Sequence, residues 1–414
     1  MFLIASVILF FLALLIFIHT RAASHLKLII ASDAEGYFQY LPYFFIKGEM
    51  HKLPYARELV NGNTLNIYHV GVAILQLPFF LLAHAFASFT SYPATGYSAP
   101  YIYSILVSAS FYSAAASFFM MKVISRHFST LVALVAIVCL IFGTNLIYYT
   151  SFEPGMSHVY SLFLMSWFIY QADIFLARPT FRTGMFLGIT LGLITVVRPT
   201  NLLIVLYVLL ADIHSLADLK DRILLVLKNK ALLVFQGITL GLALVPQLLY
   251  WHEVTGDYLV FSYGIVGQGF NWSSPALFKV LFSPQNGWLV YSPIMLFSLL
   301  GLGLTLKRGS HNSYAIFTIL VIAYYLISSW WAWWFGAAYG HRAFIEYYAL
   351  LSIPFAYAVD RVLSLQHKVL KLGIAMLAVV AIYVNLNMCF LYDPPWDGPG
   401  WGWDDYAHIL RAIF

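Results

Sequence analysis

The feature that most constrains this sequence is a succession of long apolar runs separated by short polar segments. They occupy residues 1–20, 68–88, 101–121, 130–149, 158–177, 183–197, 199–213, 231–251, 289–306, 313–331, 344–360 and 372–391. An apolar helix of about 20 residues matches the thickness of a bilayer core and satisfies its own backbone polar groups there. The composition agrees: 62% of residues are hydrophobic and 9% charged, against roughly 25% charged in a soluble domain. Mean hydropathy is +0.82. A water-soluble fold is therefore excluded. The net charge of +5 is small and spread over short loops, which excludes a nucleic-acid-binding surface. Cys139 and Cys389 lie within apolar runs and read as small core hydrophobes, not as a disulfide or metal pair. Met1–Thr20 lacks a basic n-region and reads as an uncleaved spanning helix.

Charge orients the spans. Lys and Arg cluster at 122–126, 178–182, 220–230, 307–308 and 361–371, and the positive-inside rule makes those segments cytoplasmic. Alternation holds from residue 101 onward. It fails if 68–88 is counted as a span. That run carries Tyr68, His69, Gln76, Pro78 and His84, so it is expected to lie along the outer interface. The expected fold class is all-α: a polytopic membrane protein of about 11 transmembrane helices with interfacial helices in its first external loop. The chain 1–414 reads as a single transmembrane domain, with external segments at 21–100 and 252–288 and an external tail at 392–414. The 183–213 stretch is short for two spans and is interrupted by Arg198-Pro199, so a broken or re-entrant pair is expected. This topology places 13 of the 22 basic residues inside and 12 of the 17 acidic residues outside. The acidic bias played no part in building it and points to a functional surface on the non-cytoplasmic face.

Five constellations on that face carry potential chemistry. Asp33, Glu35 and Tyr37 follow the first helix; a carboxylate here suits a general base, while the alternative is that Ser32 or Asp33 merely caps a helix. Glu153, His158 and Tyr160 occupy the second external loop, again with helix capping as the alternative. A metal site built on Glu153 and His158 matches no strong ligand spacing. The Trp330–Phe335 aromatic run suits an interfacial belt or the lining of a lipid or sugar groove, and it leads into His341 and Arg342, a guanidinium suited to a phosphate. Arg198 is a charge inside an apolar stretch. The 252–288 loop mixes aromatic and amide groups with Lys279 and a Ser283-Pro284 turn.

At these residues the sequence resembles the GT-C superfamily of polyprenyl-phosphate-sugar-dependent glycosyltransferases, most closely the branch of protein O-mannosyltransferases, aminoarabinose lipid A transferases and Rgt-type core-sugar transferases. The resemblance rests on Asp33 with Tyr37 soon after the first helix, the helix near Tyr68–Ala85, Arg198-Pro199, the Ser283-Pro284…Gly287 turn and Gly340-His341-Arg342. It covers most of the chain in order. It implies an inverting glycosyltransferase in a bacterial inner or plasma membrane, with its site on the non-cytoplasmic side. The donor would be a polyprenyl-phosphate-linked sugar and the acceptor a glycan, lipid or protein hydroxyl, with membrane lipid around the site. Asp33 or Glu35 would be the base, with the spacing to Tyr37 favouring Asp33. Arg342, with Arg198 or Lys279, would hold the phosphate; Tyr37, Glu153, His158 and His341 would complete the binding site. The superfamily contains members with and without a divalent metal ion, so a metal cofactor stays open. The chain departs from better-known members in its Asp-Ala-Glu motif and its short tail. The competing class is a transporter or flippase of a lipid-linked sugar, which would spread polar residues through mid-membrane positions and show inverted repeats.

Overall fold

The computed structural model describes residues 1–20, 29–392, 396 and 400–414. Asp393 and Asp397, counted above among the external acidic residues, lie outside the described residues. The described chain is mostly helical, as its uninterrupted apolar runs require.

Helix α1 (Phe2–Thr20) leads to a layer of short elements: α2 (Asp33–Phe38), α3 (Tyr40–Pro42) and a two-stranded antiparallel ribbon, β1 (Arg57–Glu58) and β2 (Thr64–Leu65), with Arg57 opposite Leu65. Then follow α4 (Gly71–Ser88), α5 (Ala99–Ile124), α6 (Thr130–Phe142), α7 (Leu146–Ser151), α8 (Ser157–Ala177) and α9 (Phe181–Val197). A 3-10 turn over Pro199–Ile204 runs into α10 (Val205–Leu210), then α11 (Leu216–Lys228) and α12 (Lys230–Thr255). The remaining helices are α13 (Ser262–Ile265), α14 (Leu277–Phe282), α15 (Trp288–Tyr291), α16 (Met295–Arg308) and α17 (Ser313–Ser329). After a 3-10 turn over Arg342–Tyr347 come α18 (Tyr348–Leu363), α19 (Lys368–Leu391) and α20 (Trp403–Ile413).

Side-chain pairs define the two ends of the bundle. α5 and α8 run parallel: Ser108 Oγ and Tyr160 OH meet at 2.8 Å near one end, and Arg126 pairs with Asp173 near the other. The second end also gathers the His127 and His311 rings, Arg308 and Arg361 against Tyr357, and Arg222 donating to the carbonyls of Val208 and Ala211. The basic clusters of the sequence thus converge on one end. Asp33, Glu346 and Arg342 lie at the other.

Five helices are long and apolar enough to cross a membrane: α4, α5, α8, α12 and α19. Only 6% of the apolar stretch of α19 and 17% of that of α12 is buried inside the protein. Such bare apolar faces suit lipid, not water, and the chain is an integral membrane protein. α1, α6, α9, α17 and the 199–210 segment are shorter apolar helices.

α4 needs a separate account, because its length and composition would allow it to cross. Its packing against α5 is defined by two hydrogen bonds. Tyr112 OH donates to Leu75 O at 2.8 Å, and His84 Nδ1 meets Tyr101 OH at 2.6 Å. α4 therefore lies antiparallel along the first part of α5. There it covers a second core built from Phe38, Tyr40, Leu53, Leu65, Phe80, Tyr101 and Tyr250.

The stretch 183–213 is a broken pair. α9 rises to the Asp33 end, the helix stops at Arg198 before Pro199, and the 3-10 turn with α10 returns to the basic end, where Tyr207 OH donates to Asp173 Oδ1 at 3.0 Å. Gly184, Gly188 and Gly192 recur every four residues on the face of α9 that meets α12; a Cβ at Gly188 would collide with Gln236 O and Thr239 Oγ1. Small residues at this spacing allow two apolar helices to approach backbone to backbone.

Gly188→Val is expected to destabilise the protein by about 1–3 kcal/mol through overpacking, read as a lower thermal midpoint in detergent micelles. Gly237→Val, on an open surface of α12, should leave the midpoint almost unchanged.

Candidate functional site

The first external segment delivers Asp33 through an unusual backbone. Ser32 adopts φ 57° and ψ −133°, a left-handed φ that costs a non-glycine residue about 1–3 kcal/mol. The capping alternative fails here, since neither Ser32 nor Asp33 caps α2 through its side chain. The Asp33 carboxylate instead accepts a hydrogen bond from Tyr68 OH at 2.7 Å and pairs with Arg342 Nη2 at 2.9 Å. Gly36 packs flat against the Tyr68 ring, leaving no room for a Cβ. That close approach positions the phenol over Asp33.

Arg342 opens the 3-10 turn before α18, just after Gly340 at φ +64°. One turn further on is Glu346, 1% exposed. Its carboxylate lies 3.0 Å from Arg198 Nε and 3.0 Å from His158 Nδ1, and Asn201 Nδ2 donates to it at 3.4 Å. Asn201 also donates to Ser161 Oγ at 2.7 Å and accepts from Tyr347 OH at 3.1 Å. The break after α9 thus aims Arg198 and Asn201 at the same point as the first turn of α8.

Asp33, Tyr37, Tyr68, His158, Arg198, Arg342 and Glu346 line one cavity of about 700 Å³. Its walls are aromatic: Trp251, Tyr263, Phe270, Trp330, Trp331, Trp334 and Phe335. A strap covers part of it, where Phe270 pairs with Trp330 and Trp331 N donates to Gly269 O at 3.0 Å. A largely apolar pocket with a few converging polar groups is the usual form of a small-molecule site.

Of the residues singled out in the sequence, Asp33, Tyr37, His158, Arg198 and Arg342 come together in this cavity. Glu35, Glu153, Lys279 and His341 do not line it. Glu35 faces away, and burial raises its carboxyl above the ordinary value. Glu153 accepts a hydrogen bond from Tyr148 OH at 3.1 Å. Lys279 is exposed, its ammonium 5.7 Å from the Trp333 ring. His341 holds the strap, with Nε2 2.8 Å from Trp333 O, and burial pushes its pKa down to about 3. Sequence reasoning passed over Glu346, although it is a lone charge among Ala343, Phe344, Ile345 and Tyr347. The rule that flagged Arg198 applies to it equally.

Burial opposes the charge on Asp33, but the Arg342 guanidinium and the Tyr68 hydroxyl outweigh it and hold the carboxyl below its usual value. Asp33 is an ionised, paired carboxylate whose basicity depends on what Arg342 is doing. Asp33 is engaged by Arg342 and Tyr68, and Glu346 by Arg198, His158 and Asn201. Among the described residues no three His, Cys, Asp or Glu side chains converge.

No protein-family model and no curated protein matches the chain. Solved structures do. The Archaeoglobus fulgidus oligosaccharyltransferase in complex with Zn and sulfate superposes with a TM-score of 0.53 at 16% identity, covering 98% of this chain and 55% of that one. The oligosaccharyltransferase AglB from the same organism, in complex with an inhibitory peptide and a dolichol-phosphate, gives 0.52 at 13% identity, covering 100% of this chain and 60% of that one. The chain spans little more than half the length of these structures. At such identities the likeness shows the fold alone, which is the one these oligosaccharyltransferase structures share over most of this chain.

Arg342→Met leaves Asp33 without its cation and should cost about 3–5 kcal/mol, read as a lowered melting midpoint at pH 7. The double variant Asp33→Asn/Arg342→Met should recover part of that loss; additive losses would show that the pair is not coupled. Because the folded carboxyl is held below its unfolded value of about 3.9, the contribution of the pair is full above that pH. It disappears as the pH falls through the lower folded value.

Proposed function

We propose that this chain is an inverting glycosyltransferase that moves a sugar from a polyprenyl-phosphate donor to an acceptor hydroxyl. The observation that carries this reading is the Asp33–Arg342 pair, carboxylate and guanidinium 2.9 Å apart on the wall of an aromatic cavity at the acidic end of a GT-C-type bundle. The positive-inside rule makes the end that holds Arg126, Arg222, Arg308 and Arg361 cytoplasmic. The cavity then opens on the non-cytoplasmic face, where a lipid-linked sugar in the outer leaflet reaches it.

Each group has a chemical role on this reading. The acceptor hydroxyl gives its proton to the Asp33 carboxylate as its oxygen attacks the anomeric carbon. The bond from that carbon to the phosphate oxygen breaks, the anomeric configuration inverts, and the lipid phosphate leaves with the bonding pair. Arg342 hydrogen-bonds the phosphate as its charge develops, and Arg198 adds a second positive charge nearby. When the phosphate draws on Arg342, Asp33 loses part of its cationic partner and becomes a stronger base. Glu346, itself held by His158 and Asn201, holds Arg198 in place. The solved oligosaccharyltransferase AglB binds a dolichol-phosphate, and a lipid phosphate is the ligand class we assign to this chain.

The test is release of free lipid phosphate from polyprenyl-phosphate sugars by the purified protein. Asp33→Asn should lower the rate by about 10²–10⁴-fold, the usual range for loss of a general base. Glu35→Gln should stay within a few fold of wild type. Equal release by wild type and Asp33→Asn would remove Asp33 as the base, and transport of the intact lipid-linked sugar without release would favour a flippase. Cysteines at Thr95 and Ser125 should label from opposite sides of sealed vesicles, Thr95 from the non-cytoplasmic side.

A further inference from the structure

His69 lines the cavity and is 8% exposed. It follows Tyr68, the residue that bonds Asp33, and precedes the first turn of α4, where Gly71 packs on the backbone of Val196 and Val197 just before Arg198. Its ring meets Trp251 edge-on at 5.6 Å and Tyr263 at 6.3 Å. Tyr263 in turn meets Trp330 at 5.8 Å. Among the described residues, neither ring nitrogen of His69 has a hydrogen-bond partner, whereas Asp33, Arg342, Glu346 and Asn201 are all engaged. An imidazole on a cavity wall with no protein partner for either nitrogen is available to a ligand.

The chemistry of the surroundings selects the ligand. Burial, reinforced by the charge of Arg198, pushes His69 down to about 4, so at neutral pH it offers one N–H donor and one nitrogen acceptor without charge. A phosphate calls for the arginines instead. A hydroxyl both gives and takes a hydrogen bond, and the aromatic rings beside His69 offer flat faces to the C–H surface of a pyranose. We propose that His69, Trp251 and Tyr263 form the subsite for the sugar ring of the donor, with the His69 imidazole bonded to a ring hydroxyl and Arg342 holding the phosphate. This rests on the glycosyltransferase reading above and assigns His69 as a specificity-determining residue.

The experiment separates the sugar from the lipid phosphate. Binding to the full-length protein in detergent micelles is measured for bare polyprenyl phosphate and for polyprenyl-phosphate mannose, glucose and galactose. Wild type should bind at least one glycosylated lipid more tightly than the bare lipid. His69→Phe, which keeps a ring in place, should bind the bare lipid as wild type does and lose about tenfold on the preferred glycosylated one, the worth of one good hydrogen bond. His69→Gln, with donor and acceptor restored, should regain part of that loss. Equal losses for bare and glycosylated lipids would overturn the assignment, as would no loss for either. A wild type that gains nothing from any of the three sugars overturns it too. Failure of wild type to bind even the bare lipid phosphate would instead remove the functional reading beneath it.

Discussion

A carboxylate and a guanidinium 309 residues apart in the chain meet at 2.9 Å, and much of the architecture serves that meeting. Removing both charges from water is expensive, and a hydrophobic pair of similar size would often be as stable. Arg342 is 11% exposed and Asp33 24%, so the pair faces the cavity while the protein screens its back. Tyr68 completes the carboxylate and Gly36 sets the distance of Tyr68. A strained Ser32 turns the chain into place. These local costs fall on residues around one cavity, as expected where geometry is maintained for chemistry.

The second charged cluster is arranged differently. Glu346 is fully enclosed and shared among Arg198, His158 and Asn201, and the four residues come from three separate segments. Two of these sit at interruptions in helices: Arg198 and Asn201 at the break before α10, Glu346 in the 3-10 turn before α18. A continuous helix in an apolar medium satisfies its own backbone and presents side chains in fixed rows. Only an interruption lets several segments turn their polar groups to one point, and it is tolerated where it lines a cavity. The helix breaks and the site are one feature.

Much of this was legible in the sequence. The apolar runs gave the helices, and the basic clusters gave the shared end of the bundle, because positive charge in loops follows membrane sidedness. Arg198-Pro199 announced its break, since proline cannot continue the hydrogen bonding of α9. Asp33 was recognisable as a carboxylate just after the first helix, and Arg342 as a guanidinium that follows an aromatic run. Glu346 carried the same signal as Arg198 and was passed over. His69 and Tyr68 were legible only as polar residues that made one run unlike its neighbours.

What the sequence determined by itself is therefore one-dimensional: which segments are apolar enough to be helices in lipid, which end of each carries positive charge, and where the helices must stop. Those follow from hydration and backbone hydrogen bonding, which act residue by residue. The tertiary structure decided which polar groups share a cavity. It brought Arg342 to Asp33, left Glu35, Glu153, Lys279 and His341 outside the cavity, and laid α4 antiparallel against α5. Such outcomes depend on packing between segments far apart in the chain. A glycine face on α9 or a glycine under Tyr68 acts only through the partner it meets.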